Sequence, residues 1–135
     1  MTNARSAAAA AGRLLMSIIF ILAGLQKLGA AGDTVAYMAS QGLPAPGLAA
    51  AVAIVVECIG GAFVLAGYQT RRIGLILALW CILTGVIAHS HFADPNQMAH
   101  FLKNLAMAGG FLLLCAFGAG AWSIDERAGR ASGRT

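Results

Sequence analysis

The sequence predicts an all-α integral membrane protein, a bundle of four transmembrane helices with both termini on the cytoplasmic side. Three observations predict it. Four apolar runs, Arg13–Gly29, Gly47–Gly67, Ile73–His89 and roughly Phe101–Trp122, each come close to the ~20 residues that a spanning helix needs. Charged residues make up 10% of the chain against ~25% in an average soluble domain, so few side chains suit water. Arg5, Arg13, Arg71, Arg72, Arg127, Arg130 and Arg134 fall on segments that share one side of a four-span chain, with only Lys27 and Lys103 on the other. Seven against two is a positive-inside bias and sets the orientation. The same placement accounts for the net charge of +4 without a nucleic-acid partner; the basic side meets the lipid bilayer.

The elements follow in chain order. Ala7–Ala11 extends the first helix past its apolar run. Arg5 and Arg13 ahead of Leu14–Leu25, with small residues at Gly29–Gly32, outline a signal peptide, but losing this run would leave an odd number of spans. In the loop Ala30–Pro46, Asp33 is placed to cap a short helix and Gly42 to end it before the stiff Pro44-Ala45-Pro46 turn. Val35 and Met38 share a face of that helix, which predicts an interfacial element on the outer surface. The loop Tyr68–Arg72 forces a tight hairpin. Asp94-Pro95-Asn96-Gln97 reads as an N-cap, a proline at the first helical position and a capping-box glutamine, so the fourth helix begins near Pro95. Residues 123–135 form a polar, frayed tail, and the chain is one domain over 1–135.

Glu57 is the most telling residue. It stands at the middle of Gly47–Gly67 with no other charge in the run. A carboxylate there costs about 2.5–3.5 kcal/mol on insertion scales and belongs in a bundle interior or a wet cavity. Ala49, Ala53, Glu57 and Gly61 recur every four residues, so Glu57 lies on a small-residue face that lets helices approach closely. The other polar groups gather toward the outer side: Gln26 and Lys27, His89 and His91, then His100, Lys103 and Asn104. Glu57 lies about 15 Å below the start of its span at 1.5 Å per residue. Together they outline a pocket that opens outward with Glu57 at its floor. Plainer readings exist: Lys27 and Lys103 as snorkelling cations, the histidines as interfacial residues.

His89, His91, Asp94 and His100 include the atoms of a Zn²⁺ or Cu²⁺ site, but histidines two apart on a helix point away from each other, and no metal is assigned. Cys58, Cys81 and Cys115 lie at membrane depth with no CxxC pair and read as small packing residues. Trp122 suits the inner interface, and Trp80 is deep enough to be packing.

The chain resembles the DoxX family over nearly its whole length. The similarity is carried by Phe20-Ile-Leu-Ala-Gly24-Leu-Gln-Lys27, the loop Tyr37–Pro44, Glu57-x-x-Gly60-Gly61, Gly67-x-x-Thr70-Arg71, His89, Lys103-Asn104-Leu105 with Gly109-Gly110, and Ser123-Ile-Asp125. The resemblance implies a four-helix inner-membrane protein of the bacterial plasma membrane. The family takes its name from a small membrane subunit of a thiosulfate:quinone oxidoreductase, which implies redox work beside the quinone pool. Lys27, Glu57, His89, Lys103 and Asn104 are the polar positions that match its motifs. There is no CxxCH, iron–sulfur cysteine pattern or Rossmann fingerprint, so redox work would need a bound quinone or a partner.

The leading expectation is therefore a membrane subunit of a redox system that binds a quinone-like molecule between its helices. Lys27, His89, Lys103 and Asn104 are the candidate donors to its oxygens and Glu57 the candidate proton relay. The alternatives are a scaffold that anchors a partner enzyme, with Glu57 in a structural ion pair, and a small ion or solute transporter, which would need a homo-oligomer.

Overall fold

The computed structural model describes residues 3–132; Arg134 and the end of the polar tail lie outside them. The chain folds as α1 (Asn3–Gly29), α2 (Ala31–Ser40), α3 (Pro46–Ala66), α4 (Thr70–Ala88), α5 (Pro95–Phe117) and α6 (Ile124–Ser132). Four of these, α1, α3, α4 and α5, are long and apolar enough to cross a membrane. Their outward surfaces carry Leu15, Leu22, Leu79 and Leu113, all more than half exposed, as lipid-facing positions require.

Several boundaries differ from the expectation, each for a local reason. The alanine run carries α1 back to Asn3. Asp33 does not cap α2: that helix starts at Ala31 with no side-chain cap, and Asp33 sits in its first turn. Gly42, at φ 76°, does end it. The last spanning helix stops at Phe117, not Trp122, because Gly118 and Gly120 both take φ 81° and turn the chain out of the helix. The tail is not frayed at 124–132. Ser123 Oγ accepts from the Glu126 N–H at 3.2 Å, and Asp125 and Glu126 suit the positive helix start, so α6 forms.

The spanning helices pair as α1 with α3 and α4 with α5, with a lighter seam between α3 and α4. Close crossings explain the pairing. A side chain at Gly61 would meet Ile21 at 2.8 Å, and one at Gly74 would meet the Phe111 carbonyl at the same distance. The seam is filled by Phe20, Val64, Leu77, Ala78, Cys81, Ala108 and Phe111. Phe20 meets Phe111 edge to face at 5.0 Å between ring centres. All three cysteines are free thiols, and Cys81 is part of this core.

Candidate functional site

Above the core, toward the α2 end, the two helix pairs part around a cavity of about 830 Å³. Of the small face predicted for α3, Ala53, Glu57 and Gly61 are buried and Ala49 is half-buried. Glu57 is 8% exposed, and its Oε2 accepts from Lys27 Nζ at 2.7 Å. The crossing of α1 and α3 sets this contact. A Cβ at Gly24 would stand 2.5 Å from Cys58 Sγ and 3.2 Å from Glu57 Cβ, so Gly24 is level with Glu57 and Lys27 is about one turn higher. The helix ends are not level. Above that crossing α3 continues for about three turns and α1 for about one and a half, and α2 fills the step.

α2 closes the cavity from above. Thr34, Val35 and Met38 are its half-buried face and no residue of it is fully buried, in keeping with an interfacial helix. Its tie to α4 is the long contact from the Tyr37 hydroxyl to the Ala88 carbonyl, 3.4 Å. The opposite wall comes from α4 and α5. His89 ends α4, with its backbone N–H on the Gly85 carbonyl at 3.0 Å. Its ring stacks on His100 with centres 5.0 Å apart, and its Nδ1 is 2.8 Å from Gln97 Oε1. Asn104 Nδ2 donates to the His100 carbonyl at 3.1 Å.

The cavity thus gathers Lys27, Glu57, His89, Lys103 and Asn104 on its lining, along with His100. Gln26 and His91 are exposed and do not line it. Gln97 is not the capping-box partner of Asp94. Asp94 Oδ1 does accept from the Asn96 N–H at 2.8 Å, while the Gln97 carboxamide turns back to His89. Among the described residues no group of three or more His, Cys, Asp or Glu is placed to hold a metal ion. Tyr37 and Thr34 join the lining from α2, positions the sequence marked only as part of an outer loop.

A second polar cluster closes the other end of the bundle. Arg13, 3% exposed, donates to the carbonyls of Leu65 and Trp122. Asp125 accepts from the backbone N–H groups of Gln69 at 2.7 Å and Thr70 at 2.8 Å, capping α4 from the far end of the chain. Its own N–H returns to the Gly67 carbonyl at 2.9 Å. Gly67 is required twice: its φ is 67°, and a side chain there would strike Arg13. Arg71 donates to the carbonyls of Cys115 and Ala116 near the end of α5. Burial pushes the Asp125 carboxyl up, but hydrogen bonds from Thr70 and Gln69 and the charge of Arg13 outweigh it and hold the group below the ordinary carboxylate value.

Fold and site together define a small four-span membrane protein with a polar-floored cavity between its helix pairs. The DoxX family matches residues 8–90, and the chain belongs to that family. It is 41% identical over 114 residues to Inner membrane protein YqjF of Escherichia coli (strain K12), an alignment covering 84% of this chain and 86% of the relative. It is 39% identical over 122 residues to Inner membrane protein YphA of the same organism, covering 85% and 86%. A third relative, "Putative oxidoreductase CatD" of Bacillus subtilis (strain 168), is 37% identical over 70 residues, 52% of this chain and 51% of its own. No solved structure matches. With four spanning helices and these relatives, the chain is a multi-pass inner-membrane protein.

Proposed function

We propose that the protein binds a quinone or similar lipophilic redox molecule in the cavity and serves as the membrane subunit of an oxidoreductase system. The observation that carries this reading is the Lys27–Glu57 pair, 2.7 Å apart, on the wall of an otherwise apolar 830 Å³ space rimmed by His89, Lys103 and Asn104. A few convergent polar groups in a mostly apolar pocket suit a molecule with an oxygen-bearing head and an apolar tail. Lys27, His89, Lys103 and Asn104 hydrogen-bond the head group, and Glu57 passes the accompanying proton. The oxidoreductase named among the relatives supports the same class, over half of this chain. The arginine-rich end faces the cytoplasm in this reading, and the cavity faces out.

Titration of the protein in lipid nanodiscs with a short-chain ubiquinone analogue tests this. Saturable binding, weakened at least about tenfold in Glu57→Gln, is expected from loss of a charged partner. Unsaturable partitioning that is identical in both proteins sinks the proposal.

The same 2.7 Å contact favours one other reading, in which the pair bolts α1 to α3 and the bundle anchors a partner enzyme. In that case Glu57→Gln lowers the melting temperature and neither protein binds the analogue.

A further inference from the structure

We propose that Gln97 is a positioning residue for this cavity. It holds His89 as the Nδ1–H tautomer, so that Nε2 meets the ligand as an acceptor, and the site thereby favours the hydroxyl-bearing, reduced form of an aromatic redox molecule over its carbonyl form. The inference rests on the ligand class proposed above.

The chemistry starts from one contact. Gln97 Oε1 is 2.8 Å from His89 Nδ1, and a carboxamide oxygen carries only lone pairs, so the ring nitrogen facing it must carry the hydrogen. A neutral imidazole has a single N–H, which leaves Nε2 with its lone pair. The ring is held from other directions as well. His89 closes α4 through its backbone N–H, and its ring lies on that of His100 with the planes 24° apart. His89 lines the cavity and Gln97 does not; Gln97 is half-buried and acts through the ring. As the third residue of α5 it would ordinarily turn back to cap its own helix, and it instead bonds a ring eight residues earlier.

The neighbouring groups add further acceptors. Asn104 gives one of its two Nδ2 hydrogens to the His100 carbonyl and keeps one N–H donor beside the acceptor Oδ1. Lys27 sits on Glu57 Oε2, leaving Oε1 as another. The Tyr37 hydroxyl already donates to Ala88. A carbonyl head group can accept from the Lys27 and Lys103 ammoniums and from the remaining Asn104 N–H, but sets its lone pairs against that of His89 Nε2. A hydroxyl can accept from an ammonium and donate to His89 Nε2. His89, which residue type alone suggests as a donor, is in this arrangement an acceptor.

Two measurements on the full-length protein in nanodiscs test the proposal. Nitrogen-15 NMR of histidine-labelled protein, assigned by loss of a signal in His89→Asn, should show His89 protonated at Nδ1. Decyl-hydroquinone, kept anaerobic, should bind about tenfold more tightly than decyl-quinone, the factor that one net hydrogen bond supplies. In Gln97→Leu that ratio should fall to near one. Protonation at Nε2, equal binding of the two forms to the native protein, or an unchanged ratio in Gln97→Leu each overturns the assignment while leaving the ligand class intact. Saturable binding of neither form overturns both.

Discussion

The two ends of this bundle use polar groups in opposite ways. At the end where α1 begins and α6 lies, Arg13, Arg71 and Asp125 hydrogen-bond backbone groups: carbonyls of α3, of α5 and of the segment before α6, and the N–H groups that open α4. The buried Arg13 Nε has no partner among the described residues. At the α2 end, Lys27, His89, Lys103 and Asn104 line a cavity, and their contacts leave each with a donor or acceptor to spare. Backbone groups left unpaired in lipid cost several kcal/mol each, so the first arrangement is what a membrane bundle needs in order to fold. Spare capacity around a void does nothing for folding, and it is what binding a ligand requires. Position along the bundle therefore separates the polar groups that tie backbone from those that line the cavity.

The largest effect that can break this comparison comes from Asp125→Ala. It removes both caps on α4 and the charge beside the buried Arg13, and should destabilise by about 2–3 kcal/mol. Thermal unfolding in nanodiscs reads the loss. Quinone-analogue affinity of the folded fraction should stay within about twofold, a change of only ~0.4 kcal/mol. A large loss of affinity in this variant would mean that the two ends are coupled.

A smaller effect sharpens the other side. Lys27→Met strands the buried Glu57 carboxylate and Glu57→Leu the half-buried Lys27 ammonium; each should cost about 1–2 kcal/mol, discounted because the lysine side chain is 30% exposed. The double variant replaces the pair by apolar groups and should recover most of that stability while losing the ligand. Additive losses would mean that the contact carries no coupling. A stable double variant with native affinity would remove the pair from the site.

How much of this was legible in the sequence depends on how local the cause is. The four spans and the inward face of Glu57 follow from run length and four-residue spacing, both local properties. The Lys27–Glu57 contact does not. Sequence gives the height of a residue on its own helix, but the level at which α1 and α3 cross is set by Gly24 against Cys58. Equal helix ends put Lys27 too high, and the short top of α1 corrects that. Gln97 and His89 met for a similar reason: a local capping rule lost to a tertiary partner. Asp125 was the least legible, since it caps a helix that begins 55 residues earlier. The motif matches Gly67-x-x-Thr70-Arg71 and Ser123-Ile-Asp125 marked both halves of that contact, without showing that they touch.

The smallest effect is in pH, and it belongs to the Asp125 end. Asp125 lies outside the spanning helices. Its carboxyl is held below the ordinary value by Thr70, Gln69 and Arg13 against the upward push of burial. A group with a lowered folded pKa binds its proton more readily when the chain is unfolded, so its contribution is complete above the unfolded value near ~3.9. As pH falls below that, through the lower folded value, the contribution is lost. Melting temperatures followed from about pH 6 down to about pH 3 should therefore fall more steeply in the native protein than in Asp125→Asn, whose amide cannot titrate. Other carboxylates contribute equally to both curves, so the difference between them isolates this one. Parallel curves would mean that the carboxylate's charge is not what the α4 cap uses, and that the knot at the terminal end rests on Arg13 and Arg71 alone.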